Sequence, residues 1–511
     1  MIQPGTAVWF ARHESRLAWR DWLAMMTAGR RERRRRVAIG IVAFVVFMHA
    51  VAYSVVGGFA AATLDKHMLV AITATLMLAW LLMVSQAMES MTRAFYSRSD
   101  LDLILASPVA AHKVFAVRIS TVALAVATMA LPLAAPFIDM LVVRGGARWL
   151  GAYGVVVAMG AAATALAVAL TVALFRAIGP KRTRLVAQIV AAVIGAAFVI
   201  GLQVAAILSY GTLSRTDVLQ SDALLALAPD IGSIFWWPAR AVLGDGTALV
   251  GVLAASFVLL AGAVAIVSPR FGEYAVAAAS ADSSPASRGR RRAAFRATSP
   301  RRVLRRKEWL LLRRDPWLVS QTLMQMLYLV PPAVLLWRSF AAGGGGGAFN
   351  LLVPVLVMAA GQLAGGLAWL TISGEDAPDL VATAPITGRL ILRAKIAAVL
   401  GIIAVVFAPL VAVLAVASLW HALITSCGIV IAAASATAIQ LWFRTQAKRS
   451  QFRRRQVSSR VATFAEAFSS IGWAATAAVA AVSLWLAIAP ALMALLVLGG
   501  ARYLSPRQRV A

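Results

Sequence analysis

Residues 30–56 read RRERRRRVAIGIVAFVVFMHAVAYSVV. Six arginines precede 20 residues that carry no formal charge at neutral pH. A helix rises about 1.5 Å per residue, so roughly 20 apolar residues cross the ~30 Å hydrocarbon core of a bilayer. The run is therefore long enough to span a membrane. It is too long for the core of a cleavable signal, and no convincing small-residue cleavage site follows it. The stretch reads as an anchor whose arginines stay on the inner side.

The same alternation of basic cluster and apolar run continues along the chain. Of 511 residues, 61% are hydrophobic and 14% charged, with a mean hydropathy of +0.82. Soluble globular domains do not have this balance. Twelve stretches are long and apolar enough to span, at 37–62, 68–88, 119–138, 150–175, 185–209, 247–269, 317–337, 350–373, 396–418, 421–442, 467–485 and 487–504. Pro490 interrupts the last pair, which leaves eleven as the alternative count. The expected fold class is an all-α polytopic membrane protein with about twelve transmembrane helices.

A net charge of +29 would suggest nucleic acid if it lay on one soluble face. Its distribution points elsewhere. With the N-terminus inside, all but six of the 49 Lys and Arg fall in segments assigned to the inside; the six are Lys66, Arg144, Arg148, Arg215, Arg240 and Arg338. This is the positive-inside pattern, with both termini cytoplasmic. Membrane topology accounts for the charge, and no nucleic-acid partner is expected. Clusters such as RGRRR (288–292), RRVLRRK (301–307) and RRR (453–455) suit anionic lipid headgroups. Cys427, the single cysteine, excludes an intrachain disulfide and a multi-cysteine metal site, and reads as a small buried hydrophobe.

The longest polar interval, 271–303, mixes Ser, Pro and Arg and cannot bury a core. It divides the chain into a first six-span half (1–270), a basic cytoplasmic linker (271–303) and a second half (304–511). Three correspondences recur in the same order in both halves. Glu14, Arg20 and Asp21 match Glu308, Arg314 and Asp315, each set just before the first span of its half. Both segments mix Arg with Trp and Leu, as a helix in the headgroup layer would. SDLDLILASPV (99–109) matches the stretch containing DLVATAPI (379–386): Asp102, Leu103, Pro108 and Arg118 fall on Asp379, Leu380, Pro385 and Lys395 without a gap. Phe175 and Arg176 match Phe443 and Arg444. Three matches in register indicate a tandem parallel duplication, and an even number of spans per half gives both copies the same orientation.

Both copies of the second phrase then face the cytoplasm. A carboxylate, apolar residues and a proline suit a short lateral helix beginning near Pro108 or Pro385. Leu103, Ile104 and Leu380 need cover from the membrane surface or a partner protein. Two equivalent footholds imply a two-fold partner.

FYSRSDLDLILASPVAAHKVFAVRI (95–119), the basic GPKRTR (179–184), LAPDIGSIFWWPARAVLGDG (227–246) and the amphipathic stretch ahead of span one together resemble type 2 ABC exporter permeases. The first half resembles the family over about residues 10–270. The second is a degenerate copy that keeps DLVATAPITGRLILRAKI (379–396) but has no counterpart of the long outside segment between spans five and six. The resemblance implies that a cytoplasmic ABC ATPase subunit, in two copies, docks on Asp100, Asp102, Leu103, Ile104 and Pro108 and, in the second half, on Asp379, Leu380 and Pro385. It also implies a bacterial inner-membrane location and export by alternating access. No G-x4-G-K-[ST] phosphate cradle occurs, so ATP would act through the partner, with no cofactor bound directly and no catalytic site of the chain's own. The Gly343–Gly347 cluster reads as a flexible linker.

A gradient-driven carrier is the rival reading. Such carriers place ionisable groups inside the bundle. Read from the apolar runs, none of the 20 carboxylates is mid-span, Glu89 and Asp139 sit at span ends, and His49 is the central ionisable group. That scarcity favours energy entering from an ATPase. Glutamines in the spans, including Gln362 and Gln440, and the small residues Gly361, Gly365 and Gly366 read mainly as interhelical packing. Asp100-Leu101-Asp102 matches a D-x-D metal motif, but its loop is too short for a catalytic domain. A noncatalytic scaffold fits the same spans and leaves the repeated phrase without a role. The mainly apolar bundle hints at an amphipathic or lipid-like cargo, and no substrate-binding residues are assigned.

Overall fold

The computed structural model describes residues 33–57, 65–96, 110–210, 222–274, 299–314, 329–341, 346–373, 383–443 and 460–505, with a few isolated positions besides. Every regular element among them is helical. The helices are α1 (Arg33–Val56), α2 (Lys66–Tyr96), α3 (Ala111–Gly145), α4 (Gly151–Ile178), α5 (Pro180–Tyr210), α6 (Asp222–Leu227), α7 (Trp237–Val242) and α8 (Gly246–Val267). They continue with α9 (Pro300–Arg314), α10 (Val330–Ala341), α11 (Gly346–Ser373), α12 (Gly388–Ala417), α13 (Leu419–Trp442), α14 (Arg460–Val482) and α15 (Ile488–Leu504).

Each of the twelve apolar intervals overlaps a helix. Among the described residues, nine helices are long and apolar enough to cross a membrane, and Phe44–Val56 and Ile488–Tyr503 are shorter apolar helices. This is a polytopic membrane architecture. Without water in the bilayer core, helices are one of only two ways to pair every backbone N–H and C=O. The ambiguous last pair forms two helices, with Pro490 in the first turn of α15, where a missing N–H costs nothing.

The helices outrun the spans read from charge. α3 covers 35 residues against the expected 119–138, and α12 begins at Gly388 rather than 396. The reason is physical: an apolar run measures hydrocarbon thickness, whereas a helix continues into the headgroup layer and carries its charged residues along. The lateral helix expected at Pro385 is not there. Residues 383–386 form a bend, Pro385 is exposed, and α12 starts after the extended Thr387. Proline favours an extended residue before it, which suits the bend. Gly346 and Gly347, expected to be linker, open α11. Cys427 is exposed on α13 rather than buried.

The chain divides into two compact units: Met1–Val199 with Arg215–Arg288, and Ile200–Ser214 with Gly289–Ala511. In the first, α4 is the central helix, with 72% of its most apolar window buried against 11% for the peripheral α8. Val155, Ala158, Ala163, Ala167 and Val168 are fully buried. These small and β-branched residues let α2, α3 and α8 come close to α4, as membrane helices without a hydrophobic driving force require. In the second unit, α11 is central, with Leu352, Val353, Leu356, Val357, Ala360, Leu363, Ala364 and Leu367 buried at helical spacing against α12, α13 and α14. Large apolar side chains line the outer surfaces, such as Phe47, Val258 and Leu496. A lipid surround solvates these without cost, whereas in water each would be unfavourable.

The segment between α5 and α8 is held by polar contacts. The Trp236 indole N–H donates to the Pro229 and Asp230 carbonyls at 3.2 and 3.1 Å. Asp245 caps α8: its Oδ1 accepts from the Thr247 hydroxyl at 2.6 Å and from the Thr247 and Ala248 N–H groups, and its Oδ2 pairs with Arg240 at 2.6 Å. The Thr247 hydroxyl, the Ala248 N–H and Arg240 hold its carboxyl down from an ordinary value of 3.8 to about 2. A depressed carboxylate stabilises the fold above its unfolded pKa and loses that contribution as pH falls through its folded one. Asp245→Ala is therefore expected to cost about 1 kcal/mol at neutral pH and to flatten the loss of thermal stability between about pH 4 and 2. An unchanged acid profile in the variant would refute the capping role.

Candidate functional site at the feet of the repeated loops

Asp100, Asp102, Leu103, Ile104, Pro108, Asp379 and Leu380 lie outside the described residues, as do Glu14, Asp21 and Asp315. Arg20 is helical and exposed, Arg314 closes α9, and Pro385 is exposed in its bend. The structure does describe the helix ends from which both loops spring, and these are braced in two different ways.

The first loop leaves α2 at Tyr96 and returns at Ala111 on α3. Phe95 and Phe115, at its two feet, are fully buried. Their ring centroids lie 5.5 Å apart, and Phe115 stacks on Phe271 at 3.9 Å and 14°. Phe95 also meets Phe271 at 5.6 Å and Phe175 at 6.1 Å. Tyr274 closes the knot against Phe175 at 5.4 Å, and its hydroxyl accepts from Arg176 Nε at 3.1 Å. Offset and tilted ring pairs add about 0.5–1.5 kcal/mol each beyond area burial. The knot ties α2 and α3 to the end of α4 and to the helical residues that follow α8.

The second loop leaves α11 at Ser373 and returns at Gly388 on α12. Its brace is ionic. Glu308, on the buried face of α9 with Leu304, has no exposed side-chain surface, and Lys395 of α12 retains 11%. Lys395 Nζ lies 3.3 and 3.4 Å from the Glu308 carboxylate oxygens and also donates to the Thr371 carbonyl. That carbonyl is among the last four of α11, which have no intrahelical partner. Lys307 reaches Glu308 at 3.5 Å. Glu308 was expected to mark a helix lying in the headgroup layer. Its carboxylate is instead turned inward, while Arg301, Arg302, Arg305 and Arg306 are exposed. Three helices thus meet at one charge pair beside the loop.

Sequence reading picked out Glu308 and Lys395 as members of two different repeated phrases and did not pair them. The usable signal was their charge: each is a charged position of a repeated phrase, with opposite sign. It missed Phe95, Phe115 and Phe271, since aromatic residues at span ends usually mark the interface.

A third polar site joins the central His49 to Asp139. Asp139, at the end of the apolar run 119–138, lies within α3, six residues before the helix ends. His49 Nε2 lies 3.1 Å from its Oδ2, and the Tyr153 hydroxyl donates to Oδ1 at 2.6 Å. His49 Nδ1 meets the Val45 carbonyl at 2.7 Å. Close by, Arg144 lies 3.8 Å over the Tyr53 ring. His49 is therefore not solitary. Among the described residues, no group of three or more His, Cys, Asp or Glu is arranged to hold a metal ion.

No protein-family model, curated protein or solved structure matches this chain.

Proposed function

We propose that the chain is the transmembrane permease subunit of an ATP-driven ABC exporter of the bacterial inner membrane. A separate cytoplasmic ATPase, in two copies, docks on the repeated loops, and the chain moves an amphipathic or lipid-like substrate by alternating access. The observation that carries the reading is the duplicated phrase before α3 and α12, whose feet are braced by buried aromatic rings in one unit and by a buried ion pair in the other. A docking loop must pass force to a bundle without yielding, and the aromatic knot and the Glu308–Lys395 pair supply that stiffness. Basic clusters on the same side add attraction to anionic lipids. Exchange of one brace for another fits a duplication whose second copy has diverged.

A pull-down on the full-length protein is expected to recover a soluble ATPase. Asp102→Ala with Leu103→Ala should reduce capture at least tenfold, since a central apolar or charged anchor contributes about 2 kcal/mol. Membrane insertion should be intact. Undiminished capture by the double variant removes the docking assignment.

The His49–Asp139–Tyr153 site favours a second reading, a carrier driven by a proton gradient, because a His beside a carboxylate inside a bundle is a common proton relay. Flux of a fluorescent amphipathic probe in sealed vesicles separates the two. Dependence on ATP and the captured ATPase supports the permease; flux on a pH gradient alone, abolished by Asp139→Asn, supports the carrier.

A further inference from the structure

A polar seam runs through the second unit where α11, α13 and α14 meet. Glu466, Ser469, Ser470 and Trp473 follow one another at helical spacing along one face of α14, over about 10 Å of helix. Glu466 is the single charged residue within the candidate membrane-crossing helix Ala462–Val482, and it lies just before the apolar run 467–485. Gln440 of α13 donates to its Oε2 at 2.5 Å, the one hydrogen bond of its carboxyl among the described residues. Gly365 makes room for the group: a Cβ there would lie 2.0 Å from the carboxyl carbon. One turn earlier, a Cβ on Gly361 would lie 2.5 Å from Ser470 Oγ. The two glycines of α11 thus receive the two polar side chains of α14.

The rest of the seam is buried and unsatisfied. Thr437, Ser469, Ser470 and Trp473 are between 0 and 9% exposed, and their side-chain polar atoms have no partner. By contrast, the buried Thr425 of α13 and the part-buried Thr476 of α14 bond the carbonyl four residues back, and the buried Thr371 of α11 bonds the carbonyl three back. An unmade bond at a buried polar atom costs about 1–3 kcal/mol, so four on neighbouring turns signal a wet site.

Among the described residues, no cation faces the carboxyl. α11 contains no titratable side chain, and on α13 His421 and Cys427 lie more than two turns from Gln440. On α15, Arg502 lies 5.3 Å over the Trp442 ring and Tyr503 is exposed. Arg460 opens α14, six residues before Glu466. An ionised carboxylate in such surroundings would cost several kcal/mol, which one neutral amide donor does not offset. A proton removes that cost, and it is the ligand small enough for a carboxyl pressed on a glycine backbone.

We propose that Glu466 is a proton-binding site, served by water lodged along Ser469, Ser470, Thr437 and Trp473. None of these residues belongs to the repeated loops, so the site stands whether or not an ATPase docks there.

Infrared difference spectra of the full-length protein in lipid nanodiscs, titrated between about pH 5 and 9, where a free carboxyl is mostly ionised, test it. A protonated-carboxyl band is expected at neutral pH, shifted by transfer to D2O and lost in Glu466→Gln. Gln440→Leu should keep the band and raise its frequency, because the carboxyl loses its amide donor. The absence of a band that Glu466→Gln removes overturns the proposal. So does a band that sodium abolishes relative to choline, which would assign a metal cation to the seam. Should Glu466→Gln not fold, Gln440→Leu decides: an unshifted band overturns the assignment.

Discussion

Lys395→Ala is expected to destabilise the second unit by about 3–5 kcal/mol, because it strands the fully buried Glu308 carboxylate without its main counter-charge. Two charges have been withdrawn from water at this corner, and the geometry compensates through two Lys395–Glu308 contacts and a bond to the Thr371 carbonyl. Glu308→Ala should cost a similar amount for the mirror-image reason. The informative variant is the double one. Glu308→Leu with Lys395→Met removes both desolvation penalties and fills the volume, so it should recover most of the loss, as apolar replacements of buried pairs do. Thermal or steric-trap unfolding in detergent measures all three. A double variant no more stable than the single ones would show that the pair contributes mainly through shape. Under the permease reading, the double variant also uncouples stability from stiffness: it should fold well and respond less to the docked ATPase, because packing without a fixed charge pair permits sliding.

Phe115→Ala should cost about 3–5 kcal/mol in the first unit. The ring is fully buried, and its removal opens a cavity between Phe95 and Phe271 while deleting the 3.9 Å stack. Phe115→Leu keeps part of the volume and loses only the ring geometry, so its cost should be markedly smaller. Unfolding of both variants distinguishes a true brace from a loosely filled corner. A loss under about 1 kcal/mol for Phe115→Ala would mean that neighbouring side chains collapse into the space and that the foot is not rigid.

Much of this architecture follows from local chemistry. The apolar runs located the helices because a bilayer imposes a length and a polarity on every segment that crosses it, independent of what that segment packs against. The repeated phrases can be read from the chain alone, since they are a matter of residue order. What failed was anything that depended on where a helix ends. The apolar run ends at Asp139, yet α3 continues past it and delivers it to His49 and Tyr153, a pairing that the run could not reveal. Pro385 was taken as a helix start on propensity, and the bend before Thr387 prevailed.

The sequence by itself determined the all-helical, polytopic membrane architecture, because hydrophobic transfer acts on each residue where it stands. Only the tertiary structure decided which residues meet: Glu308 with Lys395, Phe115 with Phe271, and Glu466 with Gln440, each pair joining different segments of the chain. Such pairings are set by the rotation and closeness of neighbouring helices, which small residues such as Gly365 permit. No single segment carries that information on its own.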